Sequence, residues 1–262
     1  MAYNENPYGQ QEQQYQPSDL FPSLWNDQED AQRATTSCLA RVFLKMFFAL
    51  LVTAVVSYGV YYIPAIQTQI LGSLPILIGL LIAQVVLVII ISARVMKMSS
   101  AISNILFFLY AFMMGLTLSV VFLTYTEGVI VQAFAVSALM FGAMAIYGTI
   151  TKRDLTRIGS LCFMALIGII LASIVNLIFF RSDMISIIIS YIGVLVFVGL
   201  TAYDTQKIKN MLHEVNSGSE DCVMVADRDE AIKRISVIGA LRLYLDFINL
   251  FLKILAIMGR RR

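Results

Sequence analysis

The sequence predicts an all-α integral membrane protein, a bundle of seven transmembrane helices, and three observations carry that reading. Of its 262 residues, 59% are hydrophobic and only 14% are charged, whereas a soluble domain carries about 25% charged residues. The mean hydropathy is +0.80. From Val42 onward, apolar runs follow one another in quick succession. Each is roughly 18–24 residues long, enough to cross about 30 Å of hydrocarbon as a helix.

The elements follow in order. Residues 1–38 are polar and rich in glutamine (Gln10, Gln11, Gln13, Gln14, Gln16), with Asp27, Glu29 and Asp30 behind them. Such a stretch cannot bury enough apolar area to order itself, so a disordered tail is expected. It lacks the basic start and early apolar run of a secretory signal. Residues 39–262 form the transmembrane domain, with helices expected near 42–63, 71–93, 101–124, 129–150, 158–180, 184–204 and 236–258. Polar or turn-forming residues break the runs: Pro64 and Pro75, Arg94 to Ser100, Thr126-Glu127-Gly128, Thr151 to Arg157, and Arg181-Ser182-Asp183. Small residues four apart (Gly79/Ala83, Gly115/Ser119, Ala138/Gly142, Gly168/Ala172) predict close helix packing. Gln84, Asn104 and Asn176 are read as interhelical hydrogen-bonding residues.

Charge selects an orientation. If the segments alternate, Arg41, Lys45, Arg94, Lys97, Lys152, Arg153, Arg157, Lys207, Lys209, Lys233 and Arg234 share one side, and Glu127, Arg181 and Asp183 take the other. The basic side is expected to be cytoplasmic, with the N-terminus inside. A full seventh crossing then leaves Arg260, Arg261 and Arg262 outside, where a re-entrant last segment would bring them back. The scattered basic residues form no nucleic-acid-binding face. Three distant cysteines (Cys38, Cys162, Cys222) and one histidine (His213) offer no metal-ligand spacing, and no cofactor is expected. The expected partners are the lipid bilayer, protons and cations.

The residues that could carry chemistry are few. Arg242, Asp246, Asn249 and Lys253 follow at steps of four, three and four within the last apolar run, which lines them along one helix face. Ionisable residues in such a run are costly and mark a candidate functional site. Asp204 closes the sixth run. If that helix continues past it, Asp204 and Asp246 lie at similar depth. Two carboxylates in a poorly hydrated site cannot both stay ionised, so they would share a proton that ties two helices together. Arg94 and Arg242 are candidate charge partners for the pair.

These residues resemble a known family. Tyr203-Asp204-Thr205-Gln206 and Leu243-Tyr244-Leu245-Asp246-Phe247-Ile248-Asn249-Leu250-Phe251 are similar to the paired aspartate motifs of the Bax inhibitor-1 (transmembrane Bax-inhibitor-motif) family, in the style of its bacterial members. Gly115-Leu116-Thr117-Leu118 and Thr151-Lys152-Arg153-Asp154-Leu155 fit as well. The resemblance implies a bundle with the last helix central, acting as a pH-sensitive calcium leak channel with Asp204 and Asp246 as sensor and gate. Calcium would meet that pair only in transit, with no fixed metal site. Arg94 best matches an arginine implicated at the end of the second helix. The chain departs from the family in its long, acidic 205–235 link and in Arg242. A proton-coupled ion transporter or exchanger, or a non-transporting regulatory protein, are the alternatives. An intramembrane aspartyl protease fits worst, because no Gly-x-Gly-Asp motif surrounds Asp246, and no enzymatic activity is expected.

Overall fold

The structure is a computed structural model that describes residues 20–63, 73–95, 97–216 and 225–259, without the side chains of 20–31 and 225–227. Seven helices appear among these residues: α1 Leu20–Tyr62, α2 Leu74–Arg94, α3 Ser100–Thr124, α4 Glu127–Ile150, α5 Thr156–Val175, α6 Asp183–Asn216 and α7 Val225–Met258. Each is long and apolar enough to span a bilayer. The breaks expected from Arg94 to Ser100, at Thr126-Glu127-Gly128, from Thr151 to Arg157 and at Arg181-Ser182-Asp183 separate consecutive helices, and Pro64 lies outside the described residues. Pro75 stands in the first turn of α2, where its missing N–H costs nothing. Glu127 opens α4, where a carboxylate complements the positive end of the helix dipole.

Three helices outrun their apolar segments. α1 begins at Leu20, within the stretch expected to be disordered. Residues 1–19 of that expected tail, with Tyr3, Tyr8 and Tyr15, lie outside the described residues. α6 continues twelve residues past Asp204, and α7 starts eleven residues before 236. At 1.5 Å per residue, α6 and α7 are each about 50 Å long, well beyond the hydrocarbon thickness. α7 is one unbroken helix, which is a full crossing and not a re-entrant turn. Arg260 to Arg262, Cys222 and the centre of the 205–235 link lie outside the described residues.

α7 is the axis of the bundle. Its most apolar 18-residue stretch is 72% buried, against 6–39% for the other six helices. α5 and α2 are the most peripheral, at 6% and 11%. Leu139, Leu161, Phe179 and Leu195 are exposed on the outside, as lipid-facing side chains must be. Because α7 packs against α1, α3, α4 and α6, its opposite faces meet different partners. Residues two apart on a helix point about 200° from each other. Tyr244 and Asp246 therefore face opposite sides of the bundle.

The small-residue pairs account for less packing than expected. Gly115 does let helices close in: a Cβ there would stand 2.8 Å from the Thr53 carbonyl oxygen on α1. Gly79, Gly142 and Gly168 have open space instead, because they lie on faces without a helix neighbour. Closer contacts use glycines outside those pairs. A Cβ on Gly159 of α5 would be 2.5 Å from the Tyr203 ring of α6.

The three interior amides also divide. Gln84 bridges α2 to α3, donating to the Met113 carbonyl at 2.8 Å and to Thr117 Oγ1 at 2.7 Å. Asn104 bonds its own helix, at the Ser100 carbonyl. Asn176 clamps the turn between α5 and α6 through both the N–H and the carbonyl of Ser182. That clamp supports Arg181, which adopts a left-handed backbone (φ 47°) after a π-helical turn.

Candidate functional site: a carboxyl pair between α6 and α7

The motif Tyr203-Asp204-Thr205-Gln206 sits mid-helix in α6, and each residue has a separate task. Gln206 is buried and braces the α4–α5 link. Its Oε1 accepts from Leu155 N at 2.9 Å, and its Nε2 donates to the Arg153 carbonyl at 2.8 Å. Thr205 returns its hydroxyl to the Thr201 carbonyl of its own helix. The Tyr203 ring lies against Gly159, with the Lys207 ammonium 5.6 Å from its centroid. In the same link, Asp154 accepts two hydrogen bonds from Thr156, N–H and hydroxyl, which hold its carboxyl below the usual carboxylate range.

These braces fix one side of a cavity of about 580 Å³ between α5, α6 and α7. Asp204, Asp246, Arg242, Asn249 and Lys207 all line it. The two aspartates, 42 positions apart in sequence, share one compartment and interact electrostatically across it. Asp246 is 6% exposed, and its Oδ2 has no hydrogen-bond partner among the described residues. Asp204 is ion-paired to Arg242 at 3.7 Å, across from one helix to the other. An Arg242 guanidinium one turn before Asp246 thus serves the aspartate of the neighbouring helix.

The other expected site residues separate. Asn249 lines the cavity but gives its amide to the Leu245 carbonyl at 2.8 Å. Lys253 opens into a second cavity, among Asp183, Ser186 and Ser190. Arg94 is exposed at the end of α2 and does not line the carboxyl cavity. A helix-end arginine on the periphery cannot reach a site between α5, α6 and α7. Cys38 and Cys162 are buried and unpaired with one another. No cluster of three or more His, Cys, Asp or Glu residues that could hold a metal ion occurs among the described residues.

Sequence reasoning overlooked Tyr244, although it lies inside the quoted motif. Its side chain is fully buried, and its hydroxyl is 2.6 Å from Thr53 Oγ1. Thr53 donates in turn to the Ala111 carbonyl at 2.9 Å. Phe107 and Tyr110 meet the Tyr244 ring edge-on, both at 5.9 Å. A tyrosine within an apolar run reads as an aromatic like any other. Only a buried hydroxyl's need for a partner could have flagged it.

The fold and site define a polytopic helical membrane protein with a buried aspartate on its central helix and a half-buried one on the neighbouring helix facing the same cavity. The sequence model of the family described as inhibitor of apoptosis-promoting Bax1 matches residues 35–262, and the chain belongs to this family. It is 47% identical over 225 residues to the inner membrane protein YbhL of Escherichia coli strain K12, covering 86% of this chain and 92% of that protein. An uncharacterised protein of Borreliella burgdorferi is 42% identical over 224 residues (86% and 92% covered). One of Deinococcus radiodurans is 38% identical over 223 residues (85% and 90% covered).

Proposed function

We propose that this protein is a passive, proton-modulated cation leak of the bacterial cell membrane, carrying calcium, with its N-terminus in the cytoplasm. The observation behind this reading is the single cavity that Asp204 and Asp246 line, with one oxygen of Asp246 lacking a partner. An unpaired oxygen on a buried carboxylate is expensive. A proton held between the two carboxyls, or a cation passing them, removes that cost. Carboxylate oxygens suit calcium, and two of them without further protein ligands make a point of transit and not a resident site. Proton and cation thus compete for the same oxygens. Arg242 sets the balance by neutralising Asp204.

The orientation rests on charge. Bonds from Ser100 to Glu230, Lys209 to Thr149, and Asn216 to Thr35 bring the basic helix ends together at one end of the bundle. That end belongs in the cytoplasm, and a relative named as an inner membrane protein fits the same membrane.

The test uses purified protein in calcium-loaded vesicles. Efflux should vary with pH, and Asp204→Asn or Asp246→Asn should flatten the profile. A profile unchanged in both variants would remove the pair from the mechanism.

A further inference from the structure

The second cavity, about 350 Å³, lies between the same three helices as the carboxyl cavity, toward their opposite ends. Most of the residues that line it are polar, among them Asp183, Arg181, Ser186, Ser190 and Lys253. The carboxyl cavity ends at Phe197 on α6 and Asn249 on α7. The second begins at Ser190 and Lys253. The separation is seven residues along α6 and four along α7, or about 10 Å and about 6 Å at helical rise. Ile169 on α5 and Gly193 and Val196 on α6, all buried, fall at positions between the two linings along their helices. The Lys253 stem lies on Gly193, where a Cβ would be 3.0 Å from Lys253 Cδ. No hydrogen bond or ion pair holds the Lys253 ammonium among the described residues.

We propose that the ion route runs between α5, α6 and α7 through this thin septum, and that the Lys253 ammonium is the charge barrier at the mouth remote from the aspartates. The inference rests on the leak reading above. Among the described residues, two of the three ionisable groups lining this mouth, Arg181 and Lys253, are cationic, and Asp183 is the third. A fixed positive charge repels a passing cation in proportion to the ion's own charge. It therefore suppresses divalent flow as the square of its effect on monovalent flow. Lys253 would keep the calcium leak slow while sparing potassium more, and so set both rate and selectivity.

The experiment compares wild type, Lys253→Met and Lys253→Arg in vesicles loaded with calcium or potassium. Methionine keeps an apolar stem against Gly193 and removes the charge; arginine keeps the charge. Lys253→Met should raise calcium efflux about tenfold and potassium efflux about threefold, as the charge scaling requires. Lys253→Arg should stay near wild type. A wild type that leaks calcium while Lys253→Met changes nothing overturns the barrier and leaves the aspartate reading standing. No efflux from any of the three proteins overturns both. The route is checked separately in a background with the native cysteines replaced by alanine. A membrane-impermeant thiol reagent should reach Ser190→Cys from one side of the vesicle and Asn249→Cys from the other. Labelling of both from the same side overturns the route.

Discussion

The two faces of α7 solve the burial of polar groups in opposite ways. On one face, Tyr244 is enclosed by α1 and α3, and its hydroxyl is joined to Thr53, which is joined to the Ala111 carbonyl. Every polar group in that chain has a partner. On the other face, about two residues away, Asp246 looks into a cavity with one oxygen unpartnered and an ion pair nearby that serves Asp204 instead. The first arrangement has one good state. The second would have several under the proposed function, differing by a proton, a cation or the placement of Arg242. A fully satisfied network rigidifies, and a partly satisfied one is where a structure can respond. On the proposed reading, stability and sensitivity fall on opposite sides of one helix.

Substitutions can break that division. The largest effect is expected for Tyr244→Ala, which removes a fully buried ring and its hydrogen bond. Unfolding in detergent should show a loss of about 3–5 kcal/mol. Tyr244→Phe keeps the ring, leaves Thr53 bonded to Ala111, and should cost about 1 kcal/mol. Neither should alter the pH dependence of efflux from whatever protein remains folded. Asp246→Asn should do the reverse: a change in stability under about 1 kcal/mol, because a poorly paired buried group is exchanged for a neutral one, with the pH response gone. A loss of several kcal/mol in Asp246→Asn would erase the contrast between the faces.

A smaller effect should come from the link that Gln206 braces. Asp154 has its carboxyl held low by Thr156. A group with a lowered folded value stabilises above its unfolded value and loses that contribution as pH falls through the folded one. The melting temperature of Asp154→Asn should therefore lie slightly below wild type near neutrality, with the gap closing in acid.

Much of this organisation was legible in the apolar runs. All seven crossings were, since hydrocarbon thickness sets their length and no polar run interrupts them. The carboxyl pair was legible too, because an aspartate at Asp246 within such a run has few tolerable explanations. The continuation of α6 past Asp204 was not. Beyond the membrane, hydropathy falls whether the chain stays helical or not. α1 was hidden from Leu20 onward for the same reason. The partner of Arg242 was ambiguous because a helix face shows what is aligned, not what the next helix offers. Lys253 shared that face with Asp246, yet it stands seven residues, about 10 Å, farther along α7 and lines another cavity. Gln206 and Tyr244 were hidden because their bonds reach Leu155 and Thr53, 51 and 191 positions away.

The central claim is that Asp204 and Asp246 hold one proton between them. Infrared difference spectroscopy of the membrane-embedded protein, with aspartate labelled by carbon-13 at the side-chain carboxyl, reads this directly. A protonated carboxyl stretch, shifted by the label, should appear and vanish with pH, and should be absent from both Asp204→Asn and Asp246→Asn. A band that survives unchanged in either variant, or no titrating band in wild type, would contradict the account.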